Sequence, residues 1–428
     1  MRIPLLAVAS AAMAAALAAG CASAPGTARP PGHGLITRGV AAREPAADPR
    51  PYGAADAAFG LDLLAAWCRA QPRSSFVFSP ASLASGLGMA YLGAGGSTAR
   101  AIGRVLHLPA AGGQRLAAGL QARTAALGGL DGPGVTVAGA DQVWADPSLV
   151  TRRGFLDAVA TGYRAGVASV PLLTRPDQAT SQINTAIAAA TRGQIPRLLA
   201  PGSLAGTGWV LTDALYLRAG WEMPFDSRAT APGPFTTASG QVVSARYLHG
   251  GNFRYVRADG WTAVAIPYRG GKLTMLALLP GSGRGSCPAL SPATLGAVTG
   301  RLAAHGPAGR GAGQGRAEIA LPKVSLRTKL DMNGLLSSLG MGVAFSPGGA
   351  DFSRLSPQAC CIKLVRHAAT LKVTEKGTLA SAATAVGLMP TSAQAPSPAI
   401  TFDRPYLMLI TDTATGEPLF AARVADPL

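Results

Sequence analysis

Three residue types that form a hydrolytic triad, a serine, an aspartate and a histidine, are spread along this chain of 428 residues. They are Ser79, Asp213 and His367. In such a triad the histidine accepts the serine proton and the carboxylate orients the imidazole. A serine held on a strained strand-to-helix turn would need the pentapeptide Gly-x-Ser-x-Gly, which the chain lacks. A Ser–Asp–His hydrolase is therefore an alternative without its usual motif.

Other catalytic motifs are also missing from the sequence. None of the six lysines has a serine three positions earlier, so there is no Ser-x-x-Lys pair. No Gly-x-x-x-x-Gly-Lys-Ser/Thr loop is present to hold a phosphate. The five histidines do not cluster and no Cys-x-x-Cys occurs, so we expect no metal site. The residues predict a protein that is not an enzyme and that needs no cofactor.

The charge is strongly basic but dispersed. The formal net charge is +17 although only 14% of residues are charged. Such a balance could indicate an anionic partner, yet Arg152–Arg153 is the only adjacent arginine pair. We interpret the arginines as a solvated surface and expect no nucleic-acid partner, with a polyanion kept open as an alternative.

The N-terminus is typical of an export signal. Arg2 precedes an apolar run from residue 3 to residue 19, so residues 1–20 are predicted to be a signal peptide. The run ends in "LAAGC" and resembles a bacterial lipoprotein cleavage site, with Cys21 as the lipidated residue, although Ala18 stands where that pattern usually has leucine. Residues 21–50 are rich in Pro, Gly and Ala and are predicted to be a flexible tether. We expect an extracellular protein anchored to the outer face of the cell membrane only through this lipid, with secretion after nearby cleavage as the alternative.

Export would allow disulfide bonds among the remaining cysteines. We expect Cys287 to pair with Cys360 or Cys361. Cys68 lies in an amphipathic helical stretch and is predicted to be a buried thiol.

The rest of the chain, residues 51–428, is predicted to be one α+β domain without repeats. Apolar spacing and Ser-Pro or Gly punctuation predict these elements. Helices are expected near residues 52–70, 80–96, 97–107, 112–126, 151–164, 177–199 and 329–341. Strands are expected near residues 135–145, 208–219, 262–268, 273–280 and 317–328, with a C-terminal hairpin that turns at Thr415–Gly416.

Six segments in order resemble one known family, the serpins, a superfamily of serine-protease inhibitors. They are "FVFSPASLASGLGMAYLGAGGST", "INTAIAAATRGQIPRLL", "DALYLRAGWEMPFD", "AIPYRGGKLTMLALLP", "LPKVSLRTKLDMNGLLSSLGMGVAFSPGGADFS" and "FDRPYLMLITDTATGEPLFAARVADP". Any one would be weak evidence, but together they span nearly all of residues 51–428.

The resemblance implies a fold and an activity. The fold would have about eight or nine helices around three β-sheets, with an exposed reactive-centre loop near residues 375–400. A serine endopeptidase would cut this loop, which would then insert as an extra strand into the central sheet and trap the protease irreversibly. The resemblance also implies a monomer. A relative that has lost inhibition and acts as a binding protein is the alternative.

The stretch "VTEKGTLASAATAVGLMP" meets the physical demands on an inserting strand. Its inward positions must be small, and its hinge needs the backbone freedom of glycine. The hinge residues implied by the resemblance are Glu375, Gly377, Thr378, Ala380, Ala382 and Thr384. Charge, proline or bulk would spoil this hinge, and none occurs at its inward positions.

The scissile bond follows from the spacing usual in the family. Counting along the loop from Glu375 ends at Thr391, followed by Ser392. A small residue there would suit elastase- or subtilisin-like proteases. A shifted register would put Leu388 or Met389 at the cut and favour chymotrypsin-like targets, although Pro390 disfavours a cut after Met389.

The same resemblance gives the triad candidates another role. Ser79, Asp213 and His367 correspond to the family's shutter, a polar cluster beneath the sheet where the strands part. The family usually has asparagine at the position of Asp213, and an aspartate there could make opening pH-dependent through His367. A structural cluster without a pH role is the alternative. Trp221 corresponds to the breach, where the loop first enters the sheet, and the alternative is an ordinary core residue.

Overall fold

The described part of the chain contains eight α-helices. This computed structural model describes residues 36–139, 141–212, 214–282, 287–303, 314–378 and 398–428. The helices are α1 (Arg50–Ala70), α2 (Pro80–Gly93), α3 (Gly96–Val105), α4 (Gly113–Gly128), α5 (Arg153–Tyr163), α6 (Pro176–Ala190), α7 (Pro292–Ala303) and α8 (Asn333–Leu336). A π-helical turn (Ser337–Met341) and a 3-10 turn (Gly342–Phe345) extend α8, and another 3-10 turn lies at Ser227–Ala229.

Eighteen strands are described. They are β1 (Ile36–Thr37), β2 (Phe76–Phe78), β3 (Val135–Gly139), β4 (Gln142–Ala145), β5 (Val167–Ser169), β6 (Trp209–Thr212), β7 (Leu215–Gly220), β8 (Ala231–Thr236), β9 (Val242–Ala258), β10 (Trp261–Pro267), β11 (Leu273–Pro280), β12 (Gln314–Pro322), β13 (Val324–Asp331), β14 (Arg366–Thr374), β15 (Gly377–Thr378), β16 (Ala399–Thr401), β17 (Tyr406–Asp412) and β18 (Pro418–Val424).

The strands form three sheets, so the predicted α+β class with about eight or nine helices around three sheets is confirmed. A four-stranded sheet has the order β1-β5-β4-β6, and a five-stranded sheet has the order β13-β14-β15-β7-β3. A nine-stranded sheet runs β16-β12-β9-β10-β11-β17-β18-β2, with β8 added to β9. β6 and β7 come from one stretch of chain, as do β3 and β4, so the four- and five-stranded sheets are joined through two continuous segments.

The C-terminal hairpin and helix α2 lie in the core. Every residue of β17 and β18 is buried, and the hairpin pairs on both edges, with β11 and β2. Ser79 caps α2 by accepting from the Ser82 amide at 3.1 Å, and Pro80 occupies the first turn. The Ala- and Gly-rich composition of α2 suits a helix that is buried along nearly its whole length.

Several elements differ from the prediction, and the predicted strands 135–145 and 208–219 are each two strands, β3–β4 and β6–β7. The predicted strand 317–328 is two strands, β12 and β13, because Lys323 separates chain segments that join different sheets. The predicted helix 177–199 ends at Ala190, where residues 191–208 turn repeatedly. β9, the longest strand, was not predicted because it carries no simple apolar alternation.

Residues 36–49, which were predicted to be part of a flexible tether, contact the body of the domain. Ile36 and Thr37 pair with β5 as an edge strand. The Val40 amide donates to the Asp157 carboxylate at 2.7 Å, and the Ala42 amide donates to the Thr161 hydroxyl. Backbone hydrogen bonding outweighs the Pro/Gly/Ala composition here. Residues 1–35, which contain the predicted signal peptide and Cys21, lie outside the described residues.

The predicted disulfide pairing is also wrong. Cys68 forms a disulfide with Cys287, 219 residues later, while Cys360 and Cys361 are free thiols. α1 packs against α7, which brings the segment before α7 to Cys68. Such a long-range neighbour cannot be read from local spacing.

Among the helices that the structure describes, none is long and apolar enough to cross a membrane. Within the same residues, no group of three or more His, Cys, Asp or Glu side chains is arranged to hold a metal ion.

Candidate strand-insertion site

The predicted hinge forms a short strand inside the five-stranded sheet. After β14 ends at Thr374, Glu375 and Lys376 turn the chain back, and β15 (Gly377–Thr378) begins. β15 pairs with β14 on one side, where Thr378 faces Val373. On the other side it pairs with β7, where Thr378 faces Ala219. The hinge is therefore a strand between two strands and not an exposed turn.

Gly377 is required by a close approach of two backbones. Its φ is +143°, a conformation that residues with a side chain rarely adopt. A Cβ at this position would lie 2.1 Å from the Ala219 carbonyl oxygen and 2.7 Å from the Gly220 Cα. Any residue other than glycine would push β15 away from β7.

Thr378 is fully buried and contacts Tyr268. Its hydroxyl lies 2.6 Å from the Tyr268 hydroxyl, and the Tyr268 ring stacks on Trp221 with centroids 4.5 Å apart. Burial raises the pKa of Tyr268, so the phenol stays neutral and hydrogen-bonds as a neutral group. This packing leaves room for a small side chain at position 378 only.

Trp221, predicted to be at the breach, contacts the hinge directly. Its indole Nε1 donates to the Thr374 carbonyl at 2.8 Å, and its amide donates to the Lys376 carbonyl at 3.1 Å. The structure thus places Trp221 at the point where β14 turns into β15.

The Glu375 carboxylate is held by two side chains from other parts of the chain. Its carboxylate accepts from Lys323 Nζ at 2.8 Å and from the Thr230 hydroxyl at 2.9 Å. Partial burial opposes ionisation, but the bonds from Lys323 and Thr230 prevail and lower the pKa of Glu375. Sequence reasoning missed Lys323, Thr230 and Tyr268, although Tyr268 and Lys323 lie within the quoted family-like segments.

Below β15 no pairing joins β14 to β6–β7 among the described residues. We call this the insertion slot: the space between β14 on one side and β6–β7 on the other. Seven of the nine residues of β14, Arg366–Lys372, pair only with β13 in the described part of the chain. There β6 likewise pairs only with β4. Ala368 nevertheless packs in one apolar cluster with Val210 and Ala214, so the two edges lie close together.

A cavity of about 670 Å³ lies at the lower end of the insertion slot. It is lined by Val210 and Leu211 of β6 and by Leu364 and Arg366 at the start of β14. Residues 198–208 and 358–363 form other parts of its wall. Its walls are mainly apolar, with a few buried polar atoms among the lining residues.

Buried polar atoms without partners gather around this space. They are Thr207 Oγ1, Trp209 Nε1, Arg366 Nε and His367 Nδ1, none of which has a hydrogen-bond partner among the described residues. A buried polar group left unpaired costs about 1–3 kcal/mol. These four atoms at the edges of the slot thus have no protein partner among the described residues.

His367 and Ser79, two of the predicted shutter residues, are brought together. The Ser79 amide donates to His367 Nε2 at 3.1 Å, and both residues are buried. Desolvation lowers the pKa of His367 to about 4, so the imidazole is neutral between pH 5 and 8. This does not support a pH switch through His367 in that range. Asp213 lies outside the described residues.

The hydrolase alternative lacks the geometry it needs. His367 Nε2 accepts from the backbone amide of Ser79, while the Ser79 hydroxyl accepts from the Ser82 amide as a helix cap. A triad histidine must instead accept from the serine hydroxyl next to bound substrate. With both side chains buried, this pair has the arrangement of a structural cluster.

The other predicted hinge and cleavage residues lie outside the described residues. They are Ala380, Ala382, Thr384, Leu388, Met389, Thr391 and Ser392. The described chain stops at Thr378 in the five-stranded sheet and resumes at Pro398, just before β16 of the nine-stranded sheet. The intervening segment thus links two different sheets.

Comparisons with known proteins agree with this geometry. A sequence model of the family "Serpin (serine protease inhibitor)" matches residues 54–427. The chain is 32% identical over 406 residues to Serpin-ZXA of Oryza sativa subsp. japonica, a match that covers 90% of this chain and 99% of that protein.

Two solved structures share the fold. The native state of the thermophilic serpin tengpin matches with a TM-score of 0.77 and 22% identity, covering 91% of this chain and 97% of that one. Native protease nexin-1 with heparin matches with a TM-score of 0.74 and 23% identity, covering 89% and 100%. The family match over most of the chain, together with this fold and a hinge seated between two strands, shows that the protein belongs to the serpin family.

Proposed function

We propose that this serpin is an irreversible inhibitor of serine endopeptidases of the elastase, subtilisin or chymotrypsin type. A target protease would cut the reactive-centre loop, which would then continue β15 down the insertion slot and carry the bound protease with it. The observation that carries the proposal is β15 itself, because the first two residues of the extra strand are already paired on both edges.

The existing register predicts where the rest of the loop would lie. Continuing the pairing of Thr378 with Val373 puts Ala380, Ala382 and Thr384 opposite Leu371, Ala369 and His367. These three β14 residues are buried, so their loop partners must be small. All three are small, as the hinge prediction requires.

The same register offers a partner for His367. Because Nε2 accepts from the Ser79 amide, the neutral imidazole carries its proton on Nδ1, which has no partner among the described residues. Thr384 would arrive opposite His367, and its hydroxyl could accept this proton. Insertion would thus give this nitrogen a partner that the described residues of the intact form do not supply.

The distance that the loop would travel fits a trap. From Thr378 to Thr391 the extended chain spans roughly 45 Å, at about 3.3 Å per residue. A protease attached at Thr391 would move from one end of the domain toward the other. A register shifted to Leu388 or Met389 would shorten the path by only a few residues.

The proposed location is the outer face of the cell membrane, through a lipid on Cys21. The Cys68–Cys287 disulfide supports export, since such bonds persist in oxidising compartments. We propose a monomer. The net charge of +17 keeps a polyanion open as a partner, and the heparin bound by protease nexin-1 supports testing it.

The proposal is tested by incubating the protein with elastase-, subtilisin- and chymotrypsin-type proteases and separating the products on denaturing gels. An inhibitor gives a protease complex that resists denaturant, and the mass of the released C-terminal peptide identifies the cut. Cleavage without a complex would contradict inhibition and favour a binding role. Ester turnover that disappears in Ser79→Ala would favour the hydrolase.

The hinge variant Thr378→Arg sharpens this test. A guanidinium cannot be accommodated against Tyr268 without burying an unpaired charge. We expect cleavage to continue while the yield of complex falls at least about tenfold, equivalent to about 1.4 kcal/mol in the partition between trapping and release. Ser244→Arg adds the same charge at an exposed position of β9, outside the loop, and should leave the yield unchanged.

A further inference from the structure

Two adjacent thiols, Cys360 and Cys361, lie in the segment between the Gly342–Phe345 turn and β14. Their sulfur atoms are 3.1 Å apart and are not bonded. Cys360 is exposed, while Cys361 is partly buried. Neither thiol is needed for the mechanism proposed above.

The chain leaves this pair no other partner in the described structure. The protein has five cysteines, of which Cys68 and Cys287 are bonded to each other and Cys21 belongs to the predicted lipidation site. A protein exported to an oxidising compartment would meet disulfide oxidants there. In the described structure, Cys361 is therefore the thiol that contacts the Cys360 sulfur.

The two thiols differ in accessibility. Burial, together with its contact to Cys360, raises the pKa of Cys361 to about 11, so this thiol stays protonated at neutral pH. Cys360 can be reached from solvent. The first attack on an oxidant therefore falls to Cys360, and the second, within the chain, to Cys361.

The neighbouring backbone is fixed on both sides of the pair. The Ile362 amide donates to the Ala344 carbonyl at 2.9 Å, and the Ala359 amide donates to the Ser356 carbonyl at 3.3 Å. Asn333 holds the residues that follow Ile362. Its side chain donates to the Lys363 carbonyl and accepts from the Val365 amide. Anchors this close keep the two sulfur atoms together.

We propose that Cys360 and Cys361 form a thiol–disulfide exchange site whose substrate is a small-molecule or protein disulfide. The Cys360 thiolate attacks one sulfur of the external disulfide, and the other sulfur leaves as a thiolate. Cys361 then gives up its proton and attacks the Cys360 sulfur, which releases the second external thiolate. The two protons of the cysteines end on the two released thiols, so the pair is oxidised and the external disulfide is reduced.

A disulfide between Cys360 and Cys361 would affect the lower end of the insertion slot. Both cysteines line the cavity there, and β14 begins five residues after Cys361. A disulfide between neighbouring residues closes an eight-membered ring and brings the sulfur atoms to about 2.05 Å. On the basis of the proposed function, we infer that the stiffened segment yields less readily when the sheet expands, so that more of the inhibitor is cleaved without trapping protease.

The chemistry is tested on the full chain with oxidised glutathione, without any protease. We expect an intact mass lower by two hydrogen atoms and a peptide map with a link between Cys360 and Cys361, while Cys68–Cys287 persists. Cys361→Ser should stop at a mixed disulfide between Cys360 and glutathione, and Cys360→Ser should react much more slowly. Free thiols or a lasting mixed disulfide in the wild type would overturn the proposal.

The coupling is tested separately by measuring complex yield with the oxidised and reduced proteins. A yield at least about twofold lower for the oxidised protein, and no such difference in the Cys360→Ser/Cys361→Ser double variant, would support it. Equal yields would overturn the coupling and leave the exchange chemistry standing. Absence of complex in both forms would instead count against the proposed inhibition.

Discussion

At the scale of single residues, the hinge requires small residues at two positions. Gly377 carries no Cβ where one would meet the Ala219 carbonyl, and Thr378 is small where the Tyr268 ring covers it. A residue with more atoms at either position would keep β15 from pairing on both edges. The seated hinge is thus a direct consequence of residue size.

Gly377→Ala should release β15 from the sheet. Backbone strain at this φ costs about 1–3 kcal/mol, and the contact with Ala219 adds to it. We expect faster hydrogen exchange of the Gly377 and Thr378 amides and a lower yield of protease complex. Gly250→Ala is the matched control, since Gly250 also has a positive φ but open space around its Cα. Unchanged exchange in Gly377→Ala would show that the hinge does not depend on this approach.

His367 should make the folded state less stable in acid. Its pKa falls to about 4 in the fold, below its ordinary value near 6.5, because burial disfavours the imidazolium. As pH falls, the unfolded chain binds this proton first, so folding stability declines between about pH 6.5 and 4 and levels off below. The full contribution is about 3 kcal/mol.

His367→Gln removes this titration and keeps an acceptor for the Ser79 amide. Relative to the wild type, the variant should gain about 3 kcal/mol of stability between pH 7 and pH 4, measured by urea unfolding across that range. His249→Gln at an exposed position should show no such gain. A constant difference between His367→Gln and the wild type over this range would contradict a neutral, desolvated His367.

At the scale of elements, a buried ionic cluster fastens the helices to the C-terminal hairpin. The Arg123 guanidinium of α4 lies 2.5 Å from Asp56 of α1 and 2.7 Å from Glu417 in the turn between β17 and β18. It also donates to the Ser85 hydroxyl and the Ala81 carbonyl of α2. Burial raises the pKa of both carboxyls, and Arg123 opposes this shift. The cluster thus joins α1, α2 and α4 to the C-terminal hairpin.

Arg123→Met should destabilise the protein by about 3–5 kcal/mol, because it leaves the carboxyl groups of Asp56, Glu417 and Asp141 without their cation. Replacing Asp56 and Glu417 by leucine and Asp141 by asparagine in the same variant should recover much of this loss, since no carboxyl group then needs the cation. Urea unfolding at neutral pH measures both changes. A loss of less than about 1 kcal/mol for the single variant would show that the cluster does not fasten these elements.

How much of this could be read from the sequence depends on the range of the contacts involved. The helix start after Ser79 and the C-terminal hairpin follow from neighbouring residues, and both were predicted, whereas the hinge alternation beyond Thr378 stays a prediction. The Cys68–Cys287 bond and the pairing of Ile36–Thr37 with β5 join residues more than a hundred positions apart, and both were missed. Tyr268 and Lys323 were within recognised segments, but their role at the hinge emerged only when three separate strands were placed together.

At the scale of the whole molecule, the C-terminal hairpin is fully paired, whereas the strands that border the insertion slot are not fully paired among the described residues. The hairpin β17–β18 is fully buried and paired, whereas β6 and residues 366–372 of β14 each pair on one side only among the described residues. Unpaired strand edges and buried polar groups without partners both favour adding a strand. The loop that begins at Gly377 is the segment placed to supply it.

The central claim is that a cut loop enters the insertion slot, and thermal unfolding of intact and loop-cleaved protein tests it most directly. The protein is cleaved once in the loop with a protease that forms no complex, and both forms are melted under identical conditions beside Thr378→Arg. We predict that the cleaved wild type unfolds at a much higher temperature than the intact protein, because the new strand pairs with β14 and with β6–β7, and that Thr378→Arg gains far less. Equal melting temperatures for the intact and cleaved wild type would contradict the account.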